Sequence, residues 1–132
     1  MRAGAGILLL AAALLAGGCS SMENDRAALD ARRRLIVASV RNAGCDGNAE
    51  CRFVGLTPKA CGSYYHWLVY PSTMDTANLL RVVSQYNDDE DRFSREWGVA
   101  SDCSIEPSPG SMGCFQGNCV GYWGGVPKIV GP

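Results

Sequence analysis

Seven cysteines, at positions 19, 45, 51, 61, 103, 114 and 119 of 132 residues, have the widest chemical scope in this chain. Thiols serve as metal ligands, nucleophiles or bridge partners, and spacing discriminates among these uses. From Cys45 to Cys119 the intervening segments hold five, nine, 41, ten and four residues, without the matched close pairs of a zinc site. Cys19 stands apart at the end of an apolar run, and the remaining six make an even set that predicts three disulfides. Six cysteines permit 15 connectivities. Local geometry favours Cys114–Cys119 across a turn at Gln116-Gly117, Cys45–Cys51 around Asp46 to Glu50, and Cys61–Cys103 across a helix. A second arrangement joins Cys51 to Cys114 and Cys45 to Cys119.

The chain has one histidine, His66, inside an apolar aromatic run, so a histidine base held beside a nucleophile is not expected and His66 reads as structural. Carboxylates cluster at Asp88-Asp89-Glu90-Asp91, with Glu96, Asp102 and Glu106 nearby. No pair stands out for glycoside hydrolysis, and neither this cluster nor Asp46 to Glu50 follows the calcium-loop spacing. No phosphate-cradling glycine loop with a following Lys-Ser or Lys-Thr occurs. No metal, other cofactor or catalytic residue is therefore expected. The candidate binding residues are aromatic: Tyr64 and Tyr65 beside the Cys61-Gly62 turn, and Tyr122 and Trp123 among glycines after the last cysteine. Capping of a small sheet is the competing role for all four.

The net charge of -1 and the absence of a basic arm exclude a general nucleic-acid binder. Arg2, the apolar run Ile7 to Ala16 and the small residues Gly17 and Gly18 form a targeting pattern too short to span a bilayer. Leu15-Ala16-Gly17-Gly18-Cys19 resembles the lipobox of bacterial lipoproteins. That resemblance implies cleavage before Cys19 and acylation of its thiol, as with palmitate. Ser20 at the following position is compatible with passage to the outer membrane. The expected organisation is a signal peptide over 1–18, a lipidated tether or helix over 19–43, and a disulfide-stapled globular domain over 44–132, facing the periplasm.

These residues must be positioned by a few elements. Leu29, Ile36 and Val40 recur at helical spacing over 20–42, with Ser21 or Asn24 as cap. Arg32-Arg33-Arg34 in its middle reads as a solvated face, with attraction to anionic lipid as the alternative. Residues 51–56 have strand character, and Tyr64 to Tyr70 is the most strand-like run, stopped by Pro71 and expected to be central. A helix from about Met74 to Trp97 follows, stopped by Gly98 and liable to break at the acidic cluster. Asp102 to Met112 reads as loop, Cys114 to Cys119 as a hairpin, and the remaining tail shows no period. The fold class is α+β: a small antiparallel sheet with one long helix packed on it.

The series C-x5-C-R, K-A-C-G, Y-x2-W-L-V-Y, S-Q-Y-N, S-D-C and C-F-x-G-N-C-V, over about residues 45 to 120, resembles a group of exported, cysteine-rich bacterial proteins. The resemblance implies a shared scaffold and brings no activity with it. The expected function is a membrane-anchored, non-enzymatic structural or binding module of the cell envelope with an envelope protein as partner. The alternatives are a disulfide-rigid inhibitor of an exported hydrolase, acting through a loop such as Glu106 to Met112, and a small hydrolase using paired carboxylates.

Overall fold

The computed structural model describes residues 20–132, so Cys19 and the targeting segment expected over 1–18 lie outside the described residues. Helix α1 spans Met22–Ala43. Ser21 caps it by accepting the Asn24 N–H at 3.2 Å, and Glu23 and Asp25 complement the positive end of the helix dipole. Its stripe of Leu29, Ile36 and Val40 is buried against α2 and the sheet. Of the two forms expected for this segment, the structure has the packed helix.

Helix α2 spans Thr76–Glu96, capped by the Asp75 carboxylate, which accepts the Asn78 N–H at 3.0 Å. It ends where the Val99 N–H reaches back to the Ser94 carbonyl, with Gly98 in the left-handed region. The break expected at residues 88–91 is absent, because Arg26 of α1 supplies the missing charge. Its guanidinium grips Glu90 with bonds of 2.8 and 2.5 Å, and the Tyr86 hydroxyl donates to the same carboxylate at 2.5 Å. A charge that interrupts an apolar stripe is thus buried and paired instead of ending the helix.

Two three-stranded antiparallel sheets complete the fold, as α+β as expected but with one sheet more. In the first, β2 (Tyr64–Pro71) is central, paired with β1 (Cys51–Pro58) from Cys51↔Pro71 to Pro58↔Tyr64, and with β6 (Val130–Gly131) on its other edge. Leu68 and Tyr70 of β2 face the helices and join the main core with Leu29, Ile36, Leu79, Val83 and Tyr86. Val69 on the opposite face meets Cys51 and Cys119 in a smaller core. The second sheet orders β3 (Ser111–Phe115), β4 (Asn118–Trp123) and β5 (Val126–Lys128). The tail that shows no period in sequence supplies β5 and β6. Strands of three and two residues are too short to carry a period-2 signal.

All six described cysteines are bridged: Cys45–Cys114, Cys51–Cys119 and Cys61–Cys103. The last matches expectation, but the first two overturn both schemes read from sequence. The hairpin register does place Cys114 opposite Cys119. Both thiols, however, lie against the segment that carries Cys45 and Cys51, and the Cys45 N–H bonds the Gly117 carbonyl at 3.0 Å. Each cysteine therefore bonds across the interface and not along its own strand. Closures over separations of 69 and 68 residues restrict the unfolded chain by about 4 kcal/mol each, taken singly, against about 2 for the local loops.

Candidate functional site: a cationic cleft

The four aromatic residues singled out in the sequence do not form one patch. Tyr64 lies over Gly55 and edge-on to Trp67, with ring centroids 5.5 Å apart. Tyr65 accepts the Lys59 ammonium against its ring, 4.7 Å from the centroid. Trp123 covers Gly131 and Gly121, and its indole N–H donates to the Pro107 carbonyl at 2.9 Å. Tyr122 sits beside Gly113. All four are half-buried and engaged with neighbouring backbone or side chains.

Three of the four residues of the acidic cluster are paired within the fold, and Asp88 is left exposed. Asp89 pairs with Arg32 and Arg92, Glu90 with Arg26, and Asp91 with Arg95. Hydrogen bonding to the Arg32 guanidinium holds the Asp89 carboxyl below its usual range. Buried Lys59 donates to the Ser104 carbonyl and hydroxyl, both at 2.7 Å, and lies 3.4 Å from Glu106, fixing the loop after Cys103 to the end of β1. Asp102 on that loop is held below the usual carboxylate range, chiefly by the N–H and hydroxyl of Ser104 and further by Lys59. The sulfurs of Cys45, Cys51 and Cys119 lie within 4.8 Å of one another, but bridged sulfurs are not thiolate ligands.

One group of charges without ion pairs is cationic and shares a cavity. The arginine triplet of α1 divides at its first member: Arg32 turns to Asp89 of α2, while Arg33 and Arg34 turn the other way. There they meet Arg41, two turns further along α1, and Lys128 at the end of β5. Together they surround a cleft of about 640 Å³ floored by Val37 and Val130. A second hollow of about 430 Å³ shares Arg41 and Lys128 and continues the groove toward the Cys114–Cys119 hairpin. Among the described residues, none of Arg33, Arg34, Arg41 and Lys128 makes an ion pair.

His66 closes one wall of this cleft. It shares the helix-facing side of β2 with Leu68 and Tyr70, and pairs with Leu56 of β1. Burial pushes its imidazole below the usual pKa, and the nearby Arg33 charge pushes it further. The Gly131 carbonyl, Glu106 and Glu90 pull the other way. The imidazole is therefore neutral at neutral pH, in a wall that is otherwise positive.

Sequence reasoning missed this assembly because Lys128 and His66 join Arg33, Arg34 and Arg41 only through tertiary contact. The available signal was the recurrence of Arg34 and Arg41 seven residues apart, one helical face carrying two cations. Comparison with family models, with curated proteins and with solved structures finds no match to this chain. No helix among the described residues is long and apolar enough to cross a membrane.

Proposed function

We propose that this chain is a bacterial envelope lipoprotein, acylated at Cys19 and facing the periplasm from the outer membrane. Its disulfide-stapled domain acts as a non-enzymatic binding module with the α1 cleft as recognition surface. The observation that carries this reading is the cleft itself, four cations that make no ion pair, gathered by two elements, α1 and β5, of a triply bridged scaffold. Helix α1 begins at Met22, so two residues separate it from Cys19 and a lipid on that thiol would hold the cleft near the bilayer. The three bridges support an oxidising compartment.

A specific observation favours the inhibitor as a second reading. Ile105 is 83% exposed, although Lys59 and Trp67 bind the residues on either side of it and the Cys61–Cys103 bridge lies two residues before it. A rigidly presented apolar side chain suits insertion into a partner's pocket at low entropic cost. Fractionation and crosslinking separate these readings. The native chain is expected in the outer membrane and the Cys19→Ser chain in the soluble periplasm. A Cys19→Ser chain that still partitions with membranes overturns the anchor. A photo-crosslinker at Arg34 is expected to capture an envelope component. Capture of a hydrolase from Ile105, with none from Arg34, replaces the first reading by the second.

A further inference from the structure

This inference rests on the cleft being the recognition surface and names its ligand. We propose that the cleft between α1 and the β2–β6 edge binds a phosphate-bearing, partly apolar molecule, with Arg33, Arg34, Arg41 and Lys128 as its phosphate ligands. The first argument is charge. Four cations around one cavity repel one another; elsewhere among the described residues Arg26, Arg32, Lys59, Arg92 and Arg95 have carboxylates, while Arg52 and Arg81 stand singly and outside the cleft. A single carboxylate would leave most of that repulsion in place, whereas a phosphate offers more charge and several acceptor oxygens to guanidinium forks.

The second argument is shape. Arg34 and Arg41 stand seven residues apart on α1, about 10 Å along its axis. Val37 and Val130 line the floor of the same cavity. A volume of about 640 Å³ exceeds what an inorganic ion needs and falls in the range of sites for small organic molecules. The arrangement suits a ligand with an anionic group toward one end or both and an apolar or sugar body between. His66 lines the same cavity, and its pKa is held down first by burial and then by the charge of Arg33; an anion bound beside Arg33 offsets the second of these, so occupancy should raise it.

Such a phosphate could belong to a lipid headgroup or to a soluble molecule, and the two sources can be told apart. As the only histidine, His66 gives one imidazole signal whose pH titration can be followed by NMR in the full chain carrying Cys19→Ser. Pyrophosphate in solution is expected to raise the His66 pKa by about half a unit or more. A rise with phosphatidylglycerol vesicles but not with pyrophosphate supports the headgroup source. Phosphatidylcholine vesicles, which carry no net charge, serve as the control. Arg34→Gln combined with Arg41→Gln is expected to weaken binding at least tenfold per arginine. Both residues are exposed, and an unchanged dispersion of amide signals verifies folding. No pKa rise with either probe, or an equal rise in the double variant, overturns the phosphate assignment. If the crosslinker at Arg34 still captures an envelope component in that event, the binding-module reading stands and only the ligand class falls.

Discussion

Glu90 is 1% exposed, more buried than most of the apolar core, yet it carries a carboxylate. It is tolerated because Arg26 satisfies both oxygens and Tyr86 donates to one of them, the Tyr86 hydroxyl also lying 3.0 Å from Thr57 Oγ1. Burial and the Glu90 bond push the Tyr86 phenol up to about 12, so it remains a donor over any working pH. Removing one partner of such a pair strands the other. Arg26→Met is expected to destabilise the fold by about 3–5 kcal/mol, and adding Glu90→Met should recover a large part of that loss. Urea denaturation of the two singles and the double checks this, and strictly additive losses would refute the coupling. In sequence, Asp88 to Asp91 looks like a uniform solvated run. The helical period puts Glu90 on the stripe of Tyr86 and Phe93, but its partner is 64 residues away and no local pattern shows it. The same limit hid the division of Arg32 from Arg33 and Arg34.

The long elements were legible because their patterns are local. The apolar stripe of α1, the cap at Ser21, the aromatic run of β2 and the stop at Gly98 follow from spacing and residue type. Strands β5 and β6 were not, since Val126–Lys128 and Val130–Gly131 are strands only because β4 and β2 offer open edges. Gly131 shows what the β6 pairing requires. A Cβ there would overlap the Trp123 indole, which lies across the strand and ties β4 to the first sheet. Gly131→Ala is expected to cost about 1–3 kcal/mol as the indole is displaced. A thermal or urea melt of Gly131→Ala, alone and with Trp123→Leu, provides the check. The glycine should tolerate alanine once the indole is gone, and an undiminished penalty in the double variant would place the strain elsewhere.

At the scale of the whole molecule, the α+β class, the use of six cysteines and the Cys61–Cys103 bridge were legible, while the partners of Cys45 and Cys51 and the cleft were not. Both depend on how the second sheet docks on the first, which no short-range pattern encodes. The docking also sets a timetable. A chain emerges N-terminus first, whether from a ribosome or through a membrane pore. Cys45 and Cys51 are therefore accessible long before Cys114 and Cys119 exist outside, and they are close enough in sequence to meet each other. The native partners of both arrive only when nearly all of the protein has emerged, so the first bridge open to them is non-native and, once formed, would have to be exchanged. A chain ending at Gly113 is accordingly expected to hold Cys45–Cys51 together with Cys61–Cys103, read by mass spectrometry of its bridged peptides. Free thiols at both Cys45 and Cys51 after oxidation would contradict that order. Maturation is accordingly expected to draw on disulfide exchange as well as on oxidation, and an isomerase should speed it more than an oxidant does.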